Sequence, residues 1–268
     1  VGKNTEIGWT DHTFNPWVGC ERISPGCDNC YAEMWSRRAG EPELWQGQRR
    51  RTTESNWRQP LKWNAEAKRA GVRKRVFCAS LADVFDNQVP PEWRADLWAL
   101  IRETSHLDWL LLTKRPQNIA KMLPGDWGDG WPNVWLGTTV ENQEEANRRI
   151  PHLLNVPAVV RFLSCEPLLE PVEIPVWGQY EFLGVDWVIV GGESGPKARP
   201  MHLDWARGLR NQCERVSVPF FFKQWGEYSP RLIASEVSMS RVGKKAAGNT
   251  LDGREWLEFP EFPARAAT

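Results

Sequence analysis

Asp108-Trp109-Leu110-Leu111-Leu112-Thr113-Lys114 runs through four large apolar side chains and ends on a hydroxyl and an ammonium. A strand this continuously apolar has both faces covered, which is the situation of a parallel sheet between layers of helix. The scheme recurs on either side of it. Arg75-Val76-Phe77-Cys78-Ala79-Ser80 precedes it, and Val134-Trp135-Leu136-Gly137-Thr138-Thr139, Val159-Val160-Arg161-Phe162-Leu163-Ser164, Trp187-Val188-Ile189-Val190-Gly191-Gly192 and Val218-Pro219-Phe220-Phe221-Phe222-Lys223 follow. Amphipathic helical segments lie between most of them, at Pro91–Thr104, Gln117–Met122, Gln143–Leu154 and Asp204–Arg215. Upstream, residues 1–19 contain a short first strand, and helices are expected from Tyr31 to about Gly40 and around Asn64–Ala70. This alternation predicts an α/β fold, a partial or near-complete parallel (β/α) barrel.

In such barrels the functional groups gather where strands end. Here those ends carry Cys20, Ser80, Asp83, Lys114, Thr138, Thr139, Glu141, Ser164, Glu166, Glu193, Ser194, Lys223 and Gln224. Core packing accounts for the apolar halves of the segments but not for these polar termini. Some of them have the alternative role of capping the next helix.

Three of the six cysteines fall within Cys20–Cys30, spaced C-x6-C-x2-C in a Gly- and Pro-containing segment. Such a loop turns tightly and can aim backbone N–H groups inward. Converging thiolates with N–H donors suit a soft metal or an iron–sulfur cluster. Three thiolates leave one coordination position without a local ligand.

Lys plus Arg and Asp plus Glu are both 34, so net charge offers no electrostatic case for a nucleic-acid partner. No apolar run approaches the ~20 residues of a membrane span, and no signal-peptide pattern opens the chain. The expected compartment is the cytoplasm, where clustered cysteines point to metal or catalysis more than to disulfides. The 17 tryptophans read as packing, with stacking on a planar substrate as the second role. Arg49, Arg50 and Arg51 read as a solvated face. After about Ser229 the rhythm breaks: Gly243–Gly248 and Leu251-Asp252-Gly253-Arg254 suggest a hairpin, Asp-Gly being a favoured two-residue turn. The expected division is a barrel over residues 1–228 and a C-terminal hairpin extension, 229–268, packed on it.

Asn15-Pro16-Trp17-Val18-Gly19-Cys20, with Gly26-Cys27-Asp28-Asn29-Cys30-Tyr31-Ala32, resembles the cluster loop of the radical S-adenosylmethionine (SAM) superfamily, and especially its spore-photoproduct-lyase-like branch. Cys78–Phe85 with Pro91-Glu92, and Leu111–Pro116, resemble that branch's segments after the second and third strands. Across its whole length the chain resembles more closely a phage-associated family of radical-SAM-like proteins. The marks are Gly137–Asn142, Phe162–Leu169, Val190–Gly195 and Phe221–Gly226. The usual superfamily loop is C-x3-C-x2-C. This chain carries three more residues, around Arg22-Ile23-Ser24, in the first arc.

The resemblance implies a radical SAM barrel in which Cys20, Cys27 and Cys30 hold a [4Fe–4S] cluster and SAM completes the open iron. Reductive cleavage of SAM would yield a 5′-deoxyadenosyl radical that abstracts hydrogen from substrate. Ser80 and Asp83 would bind the SAM amino group, Lys114 and Thr138 its carboxylate or ribose, and Glu141 a ribose hydroxyl. Asn29 and Tyr31 would lie near the adenine, and Ser164 where SAM meets substrate. Glu166, Lys223 and Cys165 would serve catalysis, Cys165 as a hydrogen donor unless it is a buried hydrophobe like Cys78 and Cys213. Glu193, Gln224 and Trp225 would face substrate. The implied substrate class is a DNA nucleobase or nucleotide, modified or repaired, with Arg49–Arg51, Lys244, Lys245 and Arg254 available to phosphate. The implied partner is an electron donor such as flavodoxin or ferredoxin, with no membrane involved.

Two other readings stand beside it. One is a zinc site of Cys20, Cys27 and Cys30 with His12 or Cys78 as fourth ligand, in a nucleic-acid-associated protein. The other is a barrel hydrolase using Glu166 and Glu193 as acid and base.

Overall fold

The apolar runs pair in sequence order. In the computed structural model, which describes residues 5, 7–174, 184–233 and 236–261, seven strands form one sheet ordered β1-β4-β5-β6-β7-β8-β9. They are β1 (His12–Phe14), β4 (Lys74–Cys78), β5 (Leu107–Thr113), β6 (Val134–Thr139), β7 (Arg161–Cys165), β8 (Trp187–Gly191) and β9 (Phe220–Gln224). All neighbouring pairs are parallel. The sheet is a partial barrel with β1 and β9 at its edges. A two-stranded ribbon, β2 (Trp17–Val18) with β3 (Arg50–Arg51), stands beside it.

The helices are α1 (Tyr31–Arg38), α2 (Glu54–Trp57), α3 (Gln59–Ala70), α4 (Pro91–Glu103), α5 (Ile119–Met122), α6 (Gln143–Leu154), α7 (Leu203–Arg215) and α8 (Lys244–Ala247). Their ends follow local chemistry. Asn142 caps α6 by accepting from the Glu145 N–H at 2.9 Å. Gly71, at φ +64°, closes α3 in the left-handed conformation that glycine reaches without strain. No helix among the described residues is long and apolar enough to cross a membrane.

Period-2 alternation splits the core in two. On the outer face, Val76, Cys78, Trp109, Leu111, Val134, Leu136, Leu163, Cys165, Val188, Val190, Phe220 and Phe222 pack with the helices. On the concave face, Trp9, Phe77, Leu110, Trp135, Phe162, Trp187, Ile189 and Phe221 form a separate cluster. The concave side is thus plugged by this mainly aromatic layer and left for polar side chains beyond it. Trp135 and Phe221 each meet Trp187 edge-on, at 6.0 and 6.1 Å. Gly137 is the small residue in this layer: a Cβ there would lie 2.4 Å from the Phe162 ring. Gly137→Ala is expected to destabilise by about 1–3 kcal/mol through overpacking, read as a lowered denaturation midpoint.

The C-terminal part covers the open edge. β10 (Tyr228–Ile233) and β11 (Glu236–Arg241) form a hairpin. The Gly243–Gly248 stretch, expected as part of a hairpin, is instead the short α8. β12 (Thr250–Leu251) and β13 (Arg254–Glu255) do turn on Asp252-Gly253, both at positive φ (54° and 80°). The following residues run antiparallel to β9: the Phe222 N–H donates to the Trp256 carbonyl at 2.8 Å, and Leu257 bridges Phe221. An edge strand so covered no longer offers its backbone to another chain. Residues 262–268 of the expected extension lie outside the described residues.

Candidate active site

The three clustered cysteines and most of the polar strand ends line one cavity of about 660 Å³. Cys20 follows β2 through Gly19, whose φ of +112° and approach to the Gln48 carbonyl (2.5 Å from an added Cβ) leave room only for glycine. Cys27 ends a 3₁₀ turn, Pro25–Cys27, and Cys30 is the N-cap residue of α1. Burial pushes the Cys20 thiol up to about 11, reinforced by the Asp83 charge and opposed by Arg115. Burial also raises Cys30, against the backbone N–H groups of Glu33 and Ala32, which favour its thiolate. These N–H donors are the helix-terminus environment expected of a ligating cysteine.

Neither candidate fourth ligand reaches the loop. His12 stacks on Trp63 (4.4 Å, 10°) in the outer layer, and Cys78 is buried in the outer core. Among the described residues no group of three or more His, Cys, Asp or Glu side chains is drawn together to hold a metal ion. A zinc ion needs four ligands at one point, at about 2.0–2.3 Å. A cubane binds each cysteine through a separate iron, so its ligand sulfurs stand further apart than those around a single zinc ion. Three thiols on one cavity wall, with no fourth ligand beside them among the described residues, suit a three-cysteine cluster site better than a four-ligand zinc site.

Around the wall, Tyr31 donates to the Ser80 carbonyl at 2.5 Å, and Asn15 bonds the Ser80 hydroxyl at 3.0 Å and the Leu81 N–H at 2.7 Å. Asp83 accepts from Thr113 Oγ1 (2.7 and 2.9 Å), the Lys114 N–H (3.1 Å) and Arg115 (3.3 Å). Lys114 lines the cavity while its Nζ sits 3.0 Å from Glu141. Further round, Ser164 and Glu166 line the wall, and Lys223 Nζ donates to Glu166 at 2.5 Å. Gln224 bonds the Ser194 hydroxyl at 3.0 Å. Glu193 is held by Asn29 (3.0 Å) and a fork from Arg199 (3.0 and 2.6 Å). Burial works to raise the Glu193 carboxyl, but the Arg199 and Asn29 hydrogen bonds outweigh it and hold it below its ordinary range. That shift is the opposite of what a general acid needs, and Arg199 occupies both Glu193 oxygens, which counts against Glu193 as a free acid or base.

Four expected site residues lie elsewhere. Cys165 belongs to the outer core, where burial pushes its thiol up. The reason is strand parity: Phe162, Ser164 and Glu166 face inward, so Leu163 and Cys165 face outward. For the same reason Thr139 lines the cavity, while Thr138 donates to the Thr113 carbonyl at 3.0 Å. Trp225 packs on Phe222 (4.9 Å) and donates to the Thr250 carbonyl at 2.8 Å. Glu141 is fully buried and accepts from Ser24 (2.6 Å) and Arg149 (2.6 Å) besides Lys114. It pins the long Cys20–Cys27 arc from behind, and Gly26 packs so closely on it that a Cβ would meet its carboxylate at 2.4 Å.

Three residues went unassigned in the motifs. Arg115 touches Cys20 and lies within the quoted Leu111–Pro116 segment, without an assigned role there. Arg199 ties Glu193 to the cysteine loop through Asp28 (3.2 Å) and the Pro25 carbonyl (2.9 Å), with no motif to mark it. Asn15 lies inside the quoted loop motif and positions Ser80.

The family described as "Protein of unknown function (DUF5131)" matches residues 4–260. No curated protein matches the chain. Among solved structures, a substituted spore photoproduct lyase with bound AdoMet and dinucleoside spore photoproduct is similar at 10% identity and a TM-score of 0.47. The match covers 89% of this chain and 70% of that one. A spore photoproduct lyase complexed with dinucleoside spore photoproduct is similar at 11% identity and a TM-score of 0.46, covering 86% and 68%.

Proposed function

The chain belongs to the DUF5131 family, and we propose that this member is a radical SAM enzyme, with a [4Fe–4S] cluster on Cys20, Cys27 and Cys30 and SAM in the adjoining cavity. The observation that carries this reading is the shared wall: three thiols without a fourth protein ligand open onto the same cavity as the polar strand ends. Cys20, Cys27 and Cys30 would hold the cluster, which when bound would supply one-electron reducing chemistry for radical formation from SAM.

The chain's own residues bind, orient and exclude water. The Ser80 loop, fixed by Asn15 and Tyr31, offers a hydroxyl and backbone groups to the SAM amino acid moiety. Asp83 supports that wall by holding Arg115 and the Lys114 backbone. Lys114 and Thr139 face the cofactor's carboxylate and ribose, and Asn29 and Tyr31 flank its adenine. The aromatic plug beneath closes the barrel floor and keeps water from the reacting atoms. Lys223 donates to Glu166 on the substrate side, where the paired groups can orient a polar group of the substrate. Ser164, Gln224 and Glu193 complete that side.

For substrate we favour a DNA nucleobase or nucleotide, modified or repaired. The support is the motif resemblance in the first two-thirds of the chain, together with exposed Lys244 at the cavity, where a phosphate can meet it. A flavodoxin- or ferredoxin-type protein would supply electrons.

Anaerobic reconstitution with iron and sulfide tests the reading. The expected product is brown, absorbs near about 400 nm and bleaches with dithionite. With SAM it releases 5′-deoxyadenosine, faster when the right nucleotide or DNA is present. A colourless protein retaining one tightly held zinc after anaerobic purification would refute it.

A further inference from the structure

Arg115 has no part in binding SAM or substrate in the assignment above, yet its side chain is only 8% exposed and faces a cysteine thiol. Its Nη1 lies 3.7 Å from Cys20 Sγ and 3.3 Å from Asp83. Its Nη2 donates to the Glu21 carbonyl at 3.4 Å, and its backbone N–H to Thr113 Oγ1 at 2.8 Å. The guanidinium is therefore anchored by Asp83 and the Glu21 carbonyl, with the backbone held by Thr113, and its remaining contact is sulfur. Asp83 opposes it with a negative charge, but of this ion pair Arg115 is the member whose N–H touches the sulfur, while the carboxylate also accepts from Thr113 Oγ1, the Lys114 N–H and the Phe85 N–H. Cys27 has a different neighbour, the Ser24 hydroxyl at 3.8 Å.

Resting on the cluster reading, we infer that Arg115 sets the reduction potential of the cluster through a charge-assisted N–H···S bond to the Cys20 thiolate. Reduction adds one electron to a cluster that is already anionic through its ligands. A fixed cation beside one of those sulfurs stabilises the reduced state more than the oxidised one, and so raises the potential. The Arg115 side chain is itself buried, so solvent and salt screen only part of this effect. Arg115 is thus a positioning residue that acts through Cys20. It does not touch the reacting atoms.

The experiment is a redox titration of reconstituted wild type, R115K and R115M, following the reduced cluster by electron paramagnetic resonance, with iron and sulfide counted per chain. At the wild-type midpoint, R115M is expected to show about a tenfold lower ratio of reduced to oxidised cluster, equivalent to 59 mV for a one-electron couple. R115K keeps the charge without the fork and is expected to fall between. A full complement of iron in R115M with an unchanged midpoint overturns the inference. If R115M does not take up iron, R115K decides: a midpoint equal to wild type overturns the inference, and a lowered one supports it. Wild type that binds no cluster defeats the underlying reading and this inference with it, an outcome distinct from a normal cluster with an insensitive potential.

Discussion

Cys30→Ala protein is expected to emerge from anaerobic reconstitution colourless, with its iron and sulfide lost and 5′-deoxyadenosine formation abolished. The size of this effect follows from the geometry of the donor set. With His12 committed to Trp63 and Cys78 buried in the outer core, no cysteine or histidine among the described residues is grouped with the loop to replace a lost thiol. The fold itself should tolerate the change. Cys30 occupies the N-cap of α1 but makes no side-chain cap bond there, so alanine forfeits little of the 0.5–2 kcal/mol or so that a capping side chain contributes. The thermal midpoint of the metal-free variant should therefore match that of metal-free wild type, while absorbance near about 400 nm disappears. Survival of both the chromophore and SAM cleavage would show that Cys30 is not a ligand.

Glu141→Ala acts on stability instead. It is expected to cost about 3–5 kcal/mol, because it strands Arg149, whose side chain is 1% exposed, as a buried cation with half its neutralisation gone. Glu145 remains 2.9 Å from Arg149 and keeps the loss from being larger. Chemical denaturation at neutral pH measures the cost. The pH dependence gives a second, independent check. Burial works to raise the Glu141 carboxyl, but the charges of Lys114 and Arg149 and the Ser24 hydrogen bond outweigh it and hold it below its ordinary 4.5. A carboxyl with a depressed folded-state pKa contributes stability that is fully present above the unfolded value and is lost as pH falls through the folded one. Wild type should therefore lose this contribution below about pH 4.5, and Glu141→Gln should lack that part of the acid dependence. Because Ser24 and Gly26 rest on Glu141, both variants should also hold less cluster. A denaturation midpoint unchanged by Glu141→Ala would contradict the assigned role of this carboxylate.

Chemical type was legible in the chain far more readily than direction. Each apolar run ends in polar residues, and that marked the cavity end of the sheet. It did not say which of two adjacent polar residues points inward. Ser164 lines the cavity and Cys165 packs outside; Thr139 lines it and Thr138 bonds a neighbouring strand. Facing is set by pleat parity, which a one-residue slip inverts. Glu141 is the complementary case. It follows β6 like a site residue, yet its partners Ser24, Lys114 and Arg149 come from three separate parts of the chain. Arg115 and Arg199 escaped for the same reason, since ion pairs between distant segments have no local periodicity.

By itself the sequence determined the parallel β/α alternation, the Asp252-Gly253 turn and the grouping of Cys20, Cys27 and Cys30. All of these follow from local patterning: apolar periodicity, turn chemistry and cysteine spacing. Only the tertiary structure decided what surrounds the thiols. It turned His12 and Cys78 away, set Arg115 against Cys20, and braced the long Cys20–Cys27 arc on Glu141. Those contacts join residues up to 117 positions apart, and their existence depends on strand register and barrel curvature.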